Sequence, residues 1–395
     1  MALVGLVLTL LAAALVARIA TEHTPPLVLE RTLSAYVRFP GRAPVLAWPS
    51  EGQAAVEVEG VGSLGSSGGS TPVAIASVAK VMTAYLTLLE HPLAVGQEGF
   101  VIRITRANVA EEHERVALDE STLSVRAGER ISERQALQAL LLPSANNIAA
   151  LLAAHSAGGT AAFLARMNAT ARELGMGSTT YTDPSGFDPA TVSTAADQLK
   201  LARAAMREPA FAAIVDESSA ALPIAGQVLN LNGLLGEDGY VGVKTGSDAA
   251  AGGCLVFAKQ LTSAGRRLTV LGVVLGQREG SLIGAALDSA EALGNSVAAA
   301  LRVETVLPAG TSVLTAKSAD GRRTNAVTAS ALKDIGWPGL AIAIRVTARP
   351  AMRSLRAGER MATVAAEGAS VSTTGALAER SLGSASLGWR IQHLL

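Results

Sequence analysis

Apolar and polar positions along the chain follow two different periods, and the period changes several times before residue 302. Stretches in which apolar residues recur every three or four positions predict helices, whereas alternation at every second residue predicts strands. The predicted helices cover residues 77–90, 132–154, 160–176, 195–206 and 281–301, and the predicted strands cover residues 54–60, 240–246, 252–260 and 266–276. A turn containing Gly265 joins the last two strands and predicts a hairpin. The pattern therefore indicates a mixed α/β (α+β) domain, to which we assign residues 25–302.

Two other regions differ from these elements in their pattern of apolar and polar residues. Residues 303–395 consist of short alternating runs separated by Gly, Pro and Asp, which predict a smaller C-terminal all-β domain with a spacing, packing or docking role. Within the mixed domain, the Gly/Ser-rich stretch at residues 61–72 predicts a flexible loop, with an interdomain linker as the alternative.

The amino-terminal twenty residues form a separate segment. The chain is apolar from Ala2 to Ala17, and Arg18 follows. This length is short for a membrane span and suits the core of a signal peptide or a short membrane anchor, with a buried helix as the remaining alternative. Basic residues before the core and a sharp A-x-A site are missing, so cleavage and retention both stay open. We expect export, or anchoring to a membrane through residues 1–20.

Composition excludes several classes of function. The 395 residues contain 33 Lys and Arg against 33 Asp and Glu, and aromatic residues make up 3%, so nothing indicates nucleic acid as a partner. The single cysteine, Cys254, excludes an internal disulfide and a cysteine-built metal site. We interpret the charged run "EEHER" around His113 as a solvated helix face. No metal is predicted, because the five histidines show no metal-binding spacing: His23, His91, His113, His155 and His393.

One lysine stands out in an apolar helical segment. The chain has six lysines against 27 arginines, and Lys80 lies in "IASVAKVMTAY", where a helix would normally bury an alanine or leucine. Ser77 and Lys80, three residues apart, share one helix face and are in hydrogen-bond reach. A buried lysine has a lowered pKa, so the pair has the parts of an activated nucleophile: serine attacks and neutral lysine accepts its proton. Alone, this S-x-x-K spacing is common and weakly specific.

Two further motifs make the serine–lysine pair a specific signal. Ser144 and Asn146 follow Pro143 at the start of a helical pattern, and the run from Lys244 to Gly246 ends a predicted strand. Each has a structural alternative, a helix cap and an ordinary turn respectively. In the order S-x-x-K, S-x-N, K-T-G, however, they form the signature of penicillin-binding proteins and class A β-lactamases.

On these motifs, and on stretches such as "LSVRAGERISERQALQALLLPSANNIAALLA", the chain resembles serine-type D-alanyl-D-alanine carboxypeptidases of the peptidase S11 family across most of residues 54–302. The resemblance implies a catalytic domain with the serine β-lactamase/transpeptidase fold followed by a β-rich domain. It also implies removal of the terminal D-alanine from peptidoglycan stem peptides ending in D-Ala-D-Ala, on the outer face of a bacterial cell membrane. Penicillins and other β-lactams would be covalent inhibitors, and no cofactor is implied.

The same resemblance implies a role for each motif residue. Ser77 would be the acylated nucleophile and Lys80 its base, while Ser144 would bridge the two lysines and pass a proton to the leaving D-alanine. Asn146 would bind the substrate amide and hold Lys80. The residues expected to bind the substrate are, in chain order, Lys244 and Thr245 at the terminal carboxylate, Gly246 at the strand edge, Ser247 (with Ser77) through the N–H groups of an oxyanion hole, and Arg278.

Two positions depart from the family's pattern. Asp248 stands where a hydroxyl residue is common, and its carboxylate would either weaken binding of the substrate carboxylate or point outward into a turn. Arg278 matches the family's carboxylate-steadying arginine only with a short local spacing, so a surface arginine is the alternative.

Two other functions compete with a carboxypeptidase. A class A β-lactamase needs a loop glutamate as a second base. None of the glutamates between the second and third motifs is followed four residues later by the asparagine of that family: Glu173, Glu208, Glu217 and Glu237. A catalytically silent penicillin-binding scaffold or sensor is the third possibility, and the intact motifs argue against it.

Overall fold

The structure, a computed structural model, describes residues 2–21, 25–156 and 158–393. It divides into two compact units, of which one spans residues 45–300. The other combines the described residues up to Pro44 with those from Leu301 onward. This division differs from the predicted boundaries at residues 25 and 303, because residues 25–44 contribute strands to the C-terminal unit.

The elements are as follows. The α-helices are α1 (Ala2–Thr21), α2 (Lys80–Glu90), α3 (Arg106–Ala117), α4 (Glu133–Leu141), α5 (Asn146–His155), α6 (Gly159–Glu173), α7 (Ala195–Ala205), α8 (Pro209–Val215), α9 (Leu282–Ala300) and α10 (Leu387–Gln392). The strands are β1 (Val28–Arg31), β2 (Tyr36–Arg38), β3 (Gln53–Val58), β4 (Gly62–Ser67), β5 (Val73–Ala74), β6 (Val101–Arg103), β7 (Arg130–Ser132), β8 (Val192–Ser193), β9 (Ser219–Leu222), β10 (Gly226–Leu229), β11 (Tyr240–Asp248), β12 (Gly252–Ser263), β13 (Arg266–Gln277), β14 (Arg302–Leu307), β15 (Ser312–Lys317), β16 (Arg323–Thr328), β17 (Leu332–Gly336), β18 (Ala341–Ala348), β19 (Arg360–Glu367) and β20 (Val371–Ala378). A 3₁₀ turn, Ala76–Ala79, leads directly into α2.

The unit of residues 45–300 is built on a five-stranded antiparallel sheet in the order β11-β12-β13-β3-β4. Alternate side chains of β12 face opposite sides, as the pleat requires. Val256 joins the apolar core shared with the helices, whereas Phe257 packs near Tyr240 on the side of α9. Because helices cover both faces, β3 is buried along its whole length. The strand β11 lies at one edge of the sheet, which leaves that edge open to the 3₁₀ turn.

The helix α2 is the centre of the helical layer and contacts α4, α5, α6, α7 and α8. Most of its side chains are buried, polar ones included. The hydroxyl of Thr87 donates to the carbonyl of Thr83 at 2.8 Å, and the hydroxyl of Thr83 donates to the carbonyl of Pro184 at 2.6 Å. These bonds satisfy groups that would otherwise destabilise the core, so the helix that begins with Lys80 is held by polar as well as apolar contacts.

The structure agrees with the predicted elements of this unit with two exceptions, one in a helix and one in a loop. The hairpin between β12 and β13 turns at Ala264 and Gly265, both left-handed, as a two-residue turn of this type requires. The predicted helix over residues 132–154 is in fact two helices, α4 and α5. The break comes at Pro143 and Ser144, where Ser144 adopts a left-handed φ of 70° that no helix can contain.

The second exception is the Gly/Ser-rich stretch at residues 61–72, for which the loop prediction was wrong over residues 62–67. These residues form β4, which pairs with β3 at the outer edge of the sheet. The edge strand is held by backbone hydrogen bonds and carries small polar side chains, so it shows no apolar alternation from which a strand could be predicted.

The C-terminal unit contains a seven-stranded antiparallel sheet in the order β1-β15-β16-β20-β19-β18-β2, together with the pair β14-β17. The prediction of an all-β region after residue 302 is therefore confirmed, apart from the short terminal helix α10. Both outer strands of the large sheet come from residues 28–38, far away in the sequence. Its core includes Phe39 along with residues of the later strands.

The predicted signal or anchor segment corresponds to α1, and His23 lies outside the described residues. Among the residues that the structure describes, no single helix is long and apolar enough to cross a membrane, although the bent pair α5 and α6 meets the requirements of length and composition together.

Cys254 lies in the middle of β12 with no solvent exposure, and burial raises the pKa of its thiol to about 12. Because the thiolate is the reactive species, we expect no reaction of the native protein with a thiol-specific reagent at pH 8. The same reagent should titrate one thiol per chain in denaturant. Prompt modification of the native protein would contradict this burial.

Candidate active site

The serine and lysine of the first motif meet in the structure. Ser77 lies in the 3₁₀ turn before α2, and Lys80 begins that helix. The Nζ atom of Lys80 is 2.7 Å from the Oγ atom of Ser77 and donates to the carbonyl of Ser185 at 3.1 Å. Ser77 remains partly exposed, whereas Lys80 is fully buried. The hydroxyl is therefore accessible to a substrate and its proton has an acceptor next to it.

The electrostatics of the site favour a neutral Lys80. Burial, reinforced by the ammonium group of Lys244, holds the pKa of Lys80 well below its ordinary value, against an opposing effect of Asp183 and Glu120. Burial also lowers the pKa of Lys244, to about 7. Two buried cations of like charge cannot both stay protonated at low cost. We therefore regard Lys80, whose Nζ atom lies next to the Ser77 hydroxyl, as the group available to accept a proton.

The second motif occupies the connection between α4 and α5. Ser144 is buried in its left-handed conformation, and its hydroxyl makes no capping bond, since the helix α5 is preceded by Ala145 with no side-chain cap. The helix-cap alternative for Ser144 is therefore wrong. Asn146 begins α5, and its Nδ2 atom donates to the Oε2 atom of Glu120 at 2.7 Å. A backbone held in a sparsely populated region is typical of functional sites.

The third motif runs along the open edge of the sheet. Lys244, Thr245 and Gly246 lie within β11, which continues to Asp248, so they do not form a turn. A Cβ atom on Gly246 would stand 3.0 Å from the backbone nitrogens of Ser77 and Val78. Glycine is needed here because the strand approaches the turn of the nucleophile so closely. Ser247, the next residue, is exposed.

Three buried polar atoms of these motifs have no hydrogen-bond partner among the described residues: Ser144 Oγ, Asn146 Oδ1 and Lys244 Nζ. Buried polar groups are rarely left unpaired unless they serve a purpose. A hydroxyl, an amide oxygen and a cation are thus available to a molecule that lies along β11.

The two departures from the family's pattern are accounted for by the turn after β11. The carboxylate of Asp248 accepts from the backbone nitrogen of Ala251 at 2.6 Å, which is the outward alternative given above. The guanidinium of Arg278 donates to the carbonyls of Ala249 and Ala250 at 3.0 and 2.6 Å. Arg278 is therefore an exposed arginine whose side chain is bound to this turn. Both side chains stabilise the turn that ends the strand.

Lys80 is positioned by a loop to which the sequence analysis assigned no role. Asp183 accepts from the backbone and hydroxyl of Ser185 at 3.0 and 2.5 Å, from the backbone of Phe187 at 3.1 Å, and from the hydroxyl of Thr191 at 2.7 Å. These bonds fix the carbonyl of Ser185 that Lys80 contacts. The stretch that carries Asp183 and Ser185, "TDPSGF" at residues 182–187, has turn-forming residues but no local pattern from which the contact with Lys80 could be predicted.

A second positioning group was also missed. Glu120, nearly inaccessible to solvent, accepts from Asn146 and from the Nη1 atom of Arg115 at 2.8 Å. Arg115 in turn pairs with Glu111 at 2.9 Å. Glu111 and Arg115 belong to the run around His113, so the solvated-face interpretation was wrong for Arg115. Helical i,i+4 spacing explains the pair Glu111–Arg115, but nothing in the sequence links Arg115 to Asn146.

The glutamates considered for a β-lactamase lie elsewhere. Glu217 contacts Arg134 at 2.8 Å and Gln138 at 2.6 Å, and Glu173 and Glu237 are exposed. None of the four, Glu208 included, contacts Ser77 or Lys80 in the described residues. Nor do those residues contain a group of three or more His, Cys, Asp or Glu placed to hold a metal ion.

Comparison with known proteins agrees with this geometry. A D-alanyl-D-alanine carboxypeptidase of Mycobacterium tuberculosis is 40% identical over 155 residues, which are 38% of this chain and 52% of that protein. One from a Streptomyces species is 31% identical over 216 residues, 50% of this chain and 71% of that protein. The aligned regions span only 52% to 63% of the first three curated relatives.

Solved structures support the same fold. The crystal structure of a Streptomyces DD-transpeptidase matches with a TM-score of 0.55 and 29% identity, over 66% of this chain and 98% of that one. A D-alanyl-D-alanine carboxypeptidase of Francisella tularensis matches with a TM-score of 0.60 over 87% of this chain and 96% of that one. At 20% identity, this second likeness concerns the fold alone.

The family model described as D-alanyl-D-alanine carboxypeptidase, peptidase S11, matches residues 61–279, more than half of the chain. That range includes the three motifs that the fold brings together at the edge of β11. The resemblance stated from the motifs is thereby confirmed: this chain belongs to the peptidase S11 family.

Proposed function

We propose that the chain is a serine-type D-Ala-D-Ala carboxypeptidase, which removes the terminal D-alanine from peptidoglycan stem peptides through an acyl-enzyme on Ser77. The observation that carries the proposal is a partly exposed hydroxyl 2.7 Å from a fully buried lysine whose pKa is strongly lowered. Such a pair is an activated nucleophile. A second buried lysine, Lys244, lies on the adjacent open strand and suits the carboxylate that ends the substrate.

In acylation, the Oγ atom of Ser77 attacks the carbonyl carbon of the penultimate D-alanine, and its proton moves to Lys80. The oxyanion forms at the N–H groups of Ser77 and Ser247, which stabilise the developing charge. The C–N bond then breaks while Ser144 passes the proton from Lys80 to the leaving amine. In deacylation, a water gives its proton to Lys80 and attacks the ester, and Ser77 recovers its hydrogen.

Substrate binding follows from the strand edge. A peptide adds to β11 as a further strand, and its terminal carboxylate interacts with Lys244 and Thr245. The free Oδ1 atom of Asn146 accepts from the substrate amide. Arg278 holds the turn after β11 with two of its N–H groups, and its exposed side chain has further N–H donors for the substrate carboxylate. A β-lactam, which mimics the D-Ala-D-Ala end, acylates the same hydroxyl.

We also propose that the protein works on the outer face of a bacterial cell membrane, to which residues 1–20 deliver or anchor it. The apolar run from Ala2 to Ala17 and the external position of peptidoglycan support this location. Fractionation of cells tests it, and protein confined to the soluble cytoplasm would contradict it.

One experiment separates the three functions under consideration. The purified protein is incubated with a fluorescent penicillin and, separately, with an acyl-D-Ala-D-Ala peptide. Labelling with release of D-alanine supports the carboxypeptidase. Labelling without release supports the silent scaffold, and rapid turnover of the penicillin supports a β-lactamase.

Ser77→Ala is expected to abolish penicillin labelling, because the variant lacks the hydroxyl that lies next to Lys80 and attacks the β-lactam. A small, partly exposed hydroxyl contributes little to packing, so the thermal midpoint should hardly change. Ser66→Ala, on the exposed edge strand β4, is the matched control and should label normally. Labelling of Ser77→Ala would place the nucleophile at another residue.

Lys80→Arg should lower the acylation rate by on the order of a thousandfold, because a guanidinium does not release its proton at any usable pH. Lys244→Arg should be milder, since that position needs a cation. The pH profile distinguishes the roles: acylation falls at low pH as Lys80 gains a proton, and at high pH as Lys244 loses one. Lys244→Arg should shift only the alkaline limb, to higher pH. Equal rates for both variants would rule out Lys80 as the base.

Glu120→Gln should lower the efficiency of peptide cleavage about three- to tenfold, because a charged acceptor for Asn146 becomes a neutral one. It should also move the acid limb of the pH profile to lower pH, since the carboxylate of Glu120 raises the pKa of Lys80. Glu111→Gln, which alters the same Arg115 without touching Asn146, is the control. A merely structural Glu120 would leave the acid limb in place.

A further inference from the structure

The two units carry opposite charge, although the whole chain is neutral. Residues 45–300 contain 17 Lys and Arg against 25 Asp and Glu. Residues 301–395 contain twelve Lys and Arg against six Asp and Glu, and residues 25–44 add three arginines and one glutamate. The C-terminal unit is therefore strongly basic, which indicates an anionic partner for that unit.

Much of this positive charge lies where the chain from the amino-terminal segment enters the unit. The backbone nitrogen of Leu27 donates to the carbonyl of Met352 at 2.6 Å, and both side chains belong to the same apolar core. Met352 lies in the connection between β18 and β19, beside the exposed Arg353 and Arg356.

The neighbouring strands bring more cations to the same end of the sheet. Val28, the first residue of β1, pairs with Lys317 of β15, and Lys317 pairs with Arg323 of β16. The next residue, Thr324, exchanges hydrogen bonds with the backbone of Arg380. We name this end of the sheet the basic end; it comprises Lys317, Arg323, Arg353, Arg356 and Arg380.

The side chains of the basic end form no ion pair within the described part of the chain. The nearby carboxylates already have partners: Asp320 pairs with Arg322 at 2.8 Å, and Glu359 pairs with Arg349 at 3.1 Å while accepting from the backbone nitrogen of Arg356 at 2.9 Å. Glu379 accepts from Asn325 at 3.2 Å. Four of the five cations are exposed, and Lys317 is partly so.

We propose that the basic end is a docking surface for the anionic phospholipid headgroups of a bilayer. Six residue steps join Thr21, the last residue of α1, to Leu27, and they span at most about 20 Å. If the apolar segment reaches a membrane, the basic end therefore faces the headgroups. Basic residues next to a segment that reaches a membrane each strengthen its binding at an anionic surface.

This inference rests on the proposed location at a membrane but not on the proposed activity. An anionic wall polymer would also meet a basic surface. The lipid is favoured because the cations gather around the point at which an apolar segment joins the unit, which a soluble polymer would not require.

The test measures co-sedimentation of the full chain with phosphatidylcholine vesicles and with vesicles that also contain phosphatidylglycerol. Wild-type protein should prefer the anionic vesicles, and salt should weaken the preference. The combined variant Arg323→Gln, Arg353→Gln, Arg356→Gln, Arg380→Gln should lose about tenfold or more of that preference. Its binding to phosphatidylcholine, which reports the apolar segment, should stay the same.

The matched control removes four exposed arginines of the other unit: Arg103→Gln, Arg130→Gln, Arg266→Gln and Arg267→Gln. It should keep the wild-type preference. Equal losses in both variants, or no preference in the wild type, would overturn the proposal. So would tighter binding to soluble poly(glycerol phosphate) than to anionic vesicles, which would favour a polymer. Penicillin labelling of every preparation reports the catalytic site separately, so its failure would bear on the proposed function alone.

Discussion

The structure depends on burying two lysine side chains close enough to repel each other, with one of them against a serine hydroxyl. Burial of an ammonium group is costly, and a second one nearby increases the cost. Lys80 meets this constraint through Ser77 and the carbonyl of Ser185, while the carboxylates of Glu120 and Asp183 partly offset the repulsion from Lys244. These groups come from the 3₁₀ turn, α2, two separate loops and β11, so the helical layer and the edge of the sheet must be fixed together for the site to exist.

The sequence predicted the reacting groups well because each motif is short and local. Ser77 and Lys80 are three residues apart, so helical spacing alone brings them together, and Gly246 follows Lys244 along one strand. The positioning groups could not be predicted in this way. Asp183 acts on Lys80 through a loop that lies about a hundred residues later, and Glu120 reaches Asn146 across 26 positions. Such contacts depend on the tertiary fold, and no local periodicity records them.

The fold shows the same division between local and remote information. Buried helices and the long strands β12 and β13 have clear periods, and they lie where the sequence indicated. The strands β1 and β2 are three or four residues long, largely exposed, and paired with strands almost 300 residues away. Neither length nor side-chain pattern distinguishes them from a loop. Their omission moved the predicted domain boundary by some twenty residues.

That boundary matters for the charge of the protein. A net charge of zero excludes few classes of partner when it is the sum of an acidic unit and a basic one. A partner interacts with the surface of one unit, and the charge of that surface decides the interaction. Assigning residues 25–44 to the basic unit also shows where the chain enters it, at Leu27 beside Met352. The segment that no pattern revealed is thus the one that connects the apolar amino-terminal helix to the basic end. The charge of each unit is therefore defined by the pairing of β1 and β2 with the C-terminal sheet, which no local pattern in the sequence reveals.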